Sequence, residues 1–107
     1  MNLSELREAN NKRQIEWKAT NLDLSFKGNE LAGEVGEVCN VIKKLERERM
    51  GIKGSRDTVE HLAEELSDVV ICVDLIASKV GIDLAQAIIS KFNSTSDKVG
   101  LETKLGR

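Results

Sequence analysis

The chain has 107 residues, a length that allows one domain spanning 1–107 rather than two. Its composition, with 40% hydrophobic residues, two cysteines and a formal net charge of -2, is that of a globular protein, and it lacks both the basic excess of a general nucleic-acid binder and the cysteine density of a disulfide scaffold. Since no apolar run approaches the roughly 20 residues that cross a bilayer, and the N-terminal segment lacks an apolar secretion signal, we expect a cytoplasmic protein with no membrane or nucleic-acid polymer as partner.

The chain is predicted to be all-α, with four main helices in a bundle. It contains no proline and only 3% aromatic residues, so long helices can form without interruption and a sheet is disfavoured. The predicted helices cover, in chain order, about residues 4–20, 29–50, 58–80 and 84–92. A domain of this size buries roughly 65% of the surface that its unfolded chain exposes, so its own core is modest. We therefore expect homo-oligomerisation to complete the bundle.

Local signals set the expected ends of these helices. Ser4 is predicted to cap the first helix, and Asp57 is predicted to cap the third. Gly51 and Gly81 are expected to end the second and third helices, because glycine readily adopts the left-handed conformation that follows a helix. The polar tail, residues 93–107, is predicted to be irregular.

The second and third helices share one arrangement of acidic and apolar side chains. Placed at 100° per residue, Glu34 and Glu37 lie together beside the apolar arc of the second helix, and Glu65 and Asp68 lie in the same way on the third. The two apolar arcs consist of Leu31, Val35, Val38, Ile42 and Leu45, and of Leu62, Leu66, Val69, Val73, Ile76 and Val80. If these arcs packed together in a bundle, the two acidic borders would meet in one cleft.

Four carboxylates at such close quarters would repel one another unless a cation were present. All-oxygen ligation suits magnesium, or manganese in its place, better than zinc. Because magnesium keeps several waters and binds phosphate oxygens, the pattern favours a nucleotide or polyphosphate substrate. The alternative is a solvated acidic face, because eighteen acidic residues produce such pairs by chance, as at Glu5 and Glu8.

Two stretches around these acids resemble the metal-binding motifs of the MazG-like, all-α nucleotide pyrophosphohydrolases. The stretches are residues 30–38, ELAGEVGEV, and residues 61–70, HLAEELSDVV. The family pattern is ExxE, a spacer and ExxD, and here 27 residues separate Glu37 from Glu65. The resemblance covers about residues 26–105. It implies a helical bundle, commonly a homodimer or homotetramer, that hydrolyses a nucleoside triphosphate, by analogy a dNTP, to the monophosphate and pyrophosphate.

Carried over to this chain, the resemblance makes Glu34, Glu37, Glu65 and Asp68 the ligands of magnesium. Gly33 stands where many relatives carry another acid, which leaves Glu34 or Glu37 as the expected catalytic base. The stretch from Lys91 to Lys98 is similar to the family's later nucleotide-contacting segment.

The expected substrate-binding residues lie outside the two acidic motifs. The resemblance implies that Lys91 and Lys98 face phosphate and that Asn93 faces the sugar or base. Trp17, the one indole of the chain, could stack on a base, although a packing role is the common one for a lone tryptophan. The alternative function is a non-catalytic helical module that binds a partner or a nucleotide without turning it over.

Overall fold

The computed structural model describes residues 1–106, and within them the chain forms four α-helices and no strand, which confirms the predicted all-α fold. The helices are α1 (Leu3–Glu16), α2 (Leu24–Arg49), α3 (Val59–Lys79) and α4 (Leu84–Val99). None of the helices in this part of the chain has both the length and the apolar character needed to span a membrane.

The N-termini of the first three helices differ from those predicted, whereas α4 begins at Leu84 as expected, with Asp83 as its N-cap. Asn2, and not Ser4, caps α1, since its side-chain oxygen accepts a hydrogen bond from the backbone N–H of Glu5 at 2.9 Å. Thr58, and not Asp57, caps α3 through the backbone N–H of His61 at 3.0 Å. Asp23 caps α2, so this helix begins five residues earlier than the prediction of residue 29. Each cap satisfies an N–H group that the first turn leaves without a partner.

The glycine signals at the C-termini are confirmed, but the predicted irregular tail is partly wrong. Gly51 and Gly81 follow α2 and α3 with φ of 75° and 73°. However, α4 continues through residues 93–99 and ends at Gly100, also at φ 75°. These seven residues contain neither glycine nor proline, so nothing in the backbone stops the helix before Gly100.

α2 and α3 pack side by side in opposite directions, since Glu34 lies near Asp68 and Lys44 near Asp57, and α1 packs against α3. Asp74 joins α1 to α3, because its buried carboxylate accepts hydrogen bonds from Arg7 Nε at 3.0 Å and from Asn10 Nδ2 at 3.0 Å. Arg7 also donates to the carbonyl of Ile82 at 2.8 Å and so ties in the turn before α4. α4 itself packs mainly against α1.

The α2–α3 interface is only partly the one that the apolar arcs predicted. Val38 of the predicted arc is buried, but so are Val41 and Cys72, which at 100° per residue lie on the same sides of their helices as the acids. On the predicted apolar arcs, by contrast, Val35, Ile42 and Leu66 are 41–48% exposed. The acids therefore line the seam between α2 and α3 within one chain. Two of the five arc residues of α2 and two of the six of α3 are left exposed, namely Val35, Ile42, Leu66 and Val80.

Candidate metal centre

Three carboxylates from two helices meet in the α2–α3 seam. Glu34 and Glu37 lie one turn apart on α2, and Glu65 faces them from α3. One oxygen from each of the three lies within 4.8 Å of the others. Asp68, the fourth predicted ligand, is exposed and is not part of this close group, but its charge acts on Glu34.

The environment of Glu34 disfavours its ionised form. Its Oε2 atom is buried, and no hydrogen-bond partner reaches it within residues 1–106. Burial raises the pKa of Glu34 above the ordinary value of 4.5, and the negative charges of Asp68, Glu37 and Glu30 raise it further. An ionised Glu34 in this site therefore lacks a neighbouring positive charge to stabilise it.

The environment of Glu65, on the opposite helix, also disfavours the ionised form. With the neighbouring carboxylates ionised, its Oε2 atom is also buried without a hydrogen-bond partner in the described part of the chain. A hydrogen bond shared with Glu37 is the largest cause that raises the pKa of Glu65, followed by burial, while His61 lowers it. Carboxyls that share a proton in this way are close enough to share a cation instead.

His61 supports Glu65 from one turn earlier on α3. Its Nε2 lies 2.9 Å from Glu65 Oε1, and its Nδ1 lies 2.7 Å from Asp57 Oδ1. Hydrogen bonding to Asp57 is the main cause of the raised pKa of His61. Sequence reasoning did not identify this chain of three groups, although the four-residue spacing from Asp57, just before the N-cap of α3, to His61 and then to Glu65 was a signal for it.

The donor set fits a hard divalent cation. Three carboxylates supply only oxygen ligands, and the two buried oxygens without partners gain the positive charge that they lack when a cation binds. Cys72 is the nearby alternative ligand, but burial and the charges of Glu30 and Glu34 raise the pKa of its thiol. A neutral thiol is a poor metal ligand, which favours oxygen-seeking ions such as magnesium or manganese.

The predicted phosphate-binding lysines lie away from this cluster in the single chain. Lys91 and Lys98 are exposed on α4, and within residues 1–106 neither forms an ion pair with the clustered carboxylates. The side-chain amide of Asn93 is occupied by the tail, since it donates to the Leu105 carbonyl at 2.8 Å and accepts from the Leu105 N–H at 2.7 Å.

Trp17 lies at the other end of the acidic seam. It is 65% exposed at the end of α1, and the Arg13 guanidinium sits 4.7 Å from its ring centroid. Both residues border a small cavity that Glu30 also lines, one turn before Glu34 on α2. The exposed ring is accessible to a ligand that extends along α2 from the carboxylates. Stacking of a base on Trp17 therefore stays a prediction.

Comparison with known protein families agrees with the geometry of the seam. The model of the MazG nucleotide pyrophosphohydrolase domain matches residues 27–100. The match includes most of α2 and the whole of α3 and α4, and so contains all the clustered carboxylates. No curated protein matches the chain.

Proposed function

The chain belongs to the MazG nucleotide pyrophosphohydrolase family, and on that premise we propose that it hydrolyses a nucleoside triphosphate, with a dNTP as the expected substrate, to the monophosphate and pyrophosphate. The reaction depends on magnesium, for which manganese can substitute. Two observations carry this proposal together: Glu34, Glu37 and Glu65 bring one oxygen each within 4.8 Å of one another, and Glu34 and Glu65 each bury an oxygen without a hydrogen-bond partner in residues 1–106. Asp68 is proposed as a further ligand, because its charge reaches Glu34.

The protein side chains have distinct roles in this proposal. When bound, magnesium supplies positive charge to the phosphate oxygens, where negative charge develops during phosphoryl transfer. Glu34 or Glu37 is proposed as the base that accepts a proton from the attacking water, because both carboxylates belong to the cluster. His61, held by Asp57, keeps the Glu65 carboxylate turned into the seam.

We also propose that the active form is a homodimer or homotetramer. The exposed parts of the apolar arcs, with Val35 and Ile42 on α2 and Leu66 on α3, form a stripe that a second copy can cover. α4 packs mainly against α1 in its own chain, which leaves it free to extend over another copy. In such an assembly Lys91 and Lys98 reach the phosphate chain bound at the partner's carboxylates.

The test is pyrophosphate release with magnesium and a panel of ribonucleoside and deoxyribonucleoside triphosphates. We expect Glu37→Gln to lower the rate by at least about 100-fold, since it removes a charged ligand that two neighbours share. Glu8→Gln is the matched control, because Glu8 belongs to an exposed acidic pair of the same spacing on α1 and should leave the rate unchanged. Equal rates for the parent and Glu37→Gln would defeat the assignment.

The second candidate, a nucleotide-binding module without turnover, gives a different pattern. Magnesium and nucleotide would then raise the melting temperature of the folded protein, because a ligand that binds only the folded state stabilises it. No pyrophosphate would appear with any member of the panel.

A further inference from the structure

A buried lysine lies two turns before Glu34 on α2, outside the carboxylate cluster. Lys27 is only 4% exposed, and its ammonium group donates one hydrogen bond, to Oε1 of Gln14 on α1 at 2.8 Å. Within residues 1–106 no carboxylate forms an ion pair with it. A buried positive charge with one neutral partner is unfavourable, and two of its three N–H donors remain to be used.

Lys27 lines a cavity of about 350 Å³ between α1, the start of α2 and the end of α3. Lys79, from the last turn of α3, supplies a second positive charge at the rim, and no acidic residue lines the cavity. Its volume is within the range of roughly 300–1,000 Å³ that is usual for small-molecule sites. The lining charge therefore favours an anionic ligand.

The polar groups of the wall are arranged as donors. Ser78 Oγ donates to Asn11 Oδ1 at 2.9 Å, and Lys27 donates to Gln14 Oε1 at 2.8 Å. The oxygen of each amide is thus occupied, which leaves the NH₂ groups of Asn11 and Gln14 to donate to a ligand. The lining thus includes two lysines and two amides with NH₂ groups to donate, a set that suits the several acceptor oxygens of a phosphoryl group better than the two of a carboxylate.

None of the clustered carboxylates lines this cavity, although Lys27 and Gln14 also border the small cavity beside Trp17 and Glu30. Lys27 lies seven residues before Glu34, or about 10 Å along the helix axis, and Lys79 lies fourteen residues after Glu65, or about 21 Å. The cavity is also lined by Asn11, Gln14 and Ile15 of α1, a helix that contributes no residue to the cluster. A ligand can therefore bind here without a divalent cation.

We propose that this cavity is a second, metal-independent anion site that binds the phosphoryl group of a small phosphorylated molecule, with Lys27 as its buried anchor and Lys79 at its rim. The site does not depend on the catalytic activity proposed above. It makes the stability of the protein responsive to phosphate through residues that the carboxylate cluster does not use.

The test uses the full chain in EDTA, so that the carboxylate centre holds no cation. Inorganic phosphate and, separately, a nucleoside monophosphate are titrated while backbone amide NMR shifts are followed. We expect saturable shifts at residues of α1, the start of α2 and the end of α3, and a loss of affinity of at least about tenfold in Lys27→Met, which removes hydrogen bonds to a charged group. Saturation by the monophosphate alone would show that the nucleoside is needed as well as the phosphoryl group, and would overturn the proposal of a general phosphoryl site.

Three further variants test whether phosphate binds in this cavity and not elsewhere. Lys79→Met changes an exposed side chain, so it tests the site even if Lys27→Met does not fold, and it should weaken phosphate binding. Lys12→Met, on the exposed side of α1, should leave binding unchanged. Glu37→Gln should also retain it, which separates this site from the metal centre. Undiminished phosphate binding in Lys27→Met or Lys79→Met, or no saturable binding by the parent, would overturn the proposal.

Discussion

At the scale of single residues, the folded protein holds ionised carboxylates in the acidic seam at a cost in free energy, and a bound cation would remove that cost. Glu34 and Glu65 each bury a carboxylate oxygen that finds no donor within residues 1–106. The i,i+3 spacing of the acids predicted which carboxylates would converge, because residues three apart share a helix face. It did not predict that Asp68 would stay exposed, since that depends on how α3 is rotated against α2.

The raised pKa of Glu34 leads to a prediction about the metal-free protein. A carboxyl whose folded pKa lies above its unfolded value of 4.5 binds more protons when folded. Its contribution to stability therefore falls as pH rises from the unfolded pKa through the folded pKa. We expect Glu34→Gln in EDTA at pH 7.5 to raise the free energy of unfolding and to reduce its dependence on pH. Urea unfolding at pH 5, 6 and 7.5 measures both quantities.

The control for that prediction is Glu46→Gln, because the pKa of Glu46 is shifted in the opposite direction from that of Glu34. Hydrogen bonding and charge from Arg49 lower the pKa of Glu46, so its contribution to stability is present above 4.5 and is lost as pH falls. Removing this exposed carboxylate should leave stability unchanged or slightly reduce it. A metal-free Glu34→Gln protein that is less stable than the parent at pH 7.5 would contradict the account of the seam.

At the scale of helices, the sequence predicted the number and kind of elements better than their contacts. Gly51 and Gly81 ended helices as expected, because their left-handed conformation is a local property. The face that α2 presents to α3 was predicted only in part. Hydrophobic periodicity locates an apolar arc but does not say whether the chain itself or another copy covers it, and here Val38 of the predicted arc is buried together with Val41 and Cys72 beside the acids.

The contact of α1 with α3 depends on one buried charged group. Asp74 accepts hydrogen bonds from Arg7 and Asn10, and its removal would leave both donors without their partner. We expect Asp74→Ala to lower the free energy of unfolding by about 3 kcal/mol, the cost of breaking a buried ion pair from one side. Chemical denaturation measures this loss, and hydrogen exchange should show the amides of α1 opening first. A loss no larger than that of Glu46→Gln would mean that other contacts hold α1.

At the scale of the whole molecule, the chain is more extended than a compact domain of its length. Its radius of gyration is 17.2 Å, compared with about 13 Å for a compact domain of 100 residues. The buried hydrophobic residues within residues 1–106 are few, namely Val38, Val41, Cys72 and Ala77. The modest core was predictable from length, but the surface that a partner copy would cover emerges only from the packing of α2 on α3.

The exposed apolar stripe leads to a prediction about assembly. Ile42 is 45% exposed on α2, and a charge at this position would be buried in the proposed oligomer interface. We expect Ile42→Glu to shift the protein from oligomer to monomer in light scattering coupled to size-exclusion chromatography. Lys43→Glu changes the charge of the adjacent exposed residue and serves as the control. An unchanged mass for Ile42→Glu would place the interface elsewhere.

The central claim, that the acidic seam of α2 and α3 binds a divalent cation, is tested most directly by counting bound manganese with electron paramagnetic resonance. The parent protein should bind manganese with saturation, and magnesium should compete for the same site. The Glu34→Gln/Glu65→Gln double variant should lose this binding, while Glu5→Gln/Glu8→Gln on α1 should retain it. Equal manganese affinity in the parent and the seam variant would contradict the account.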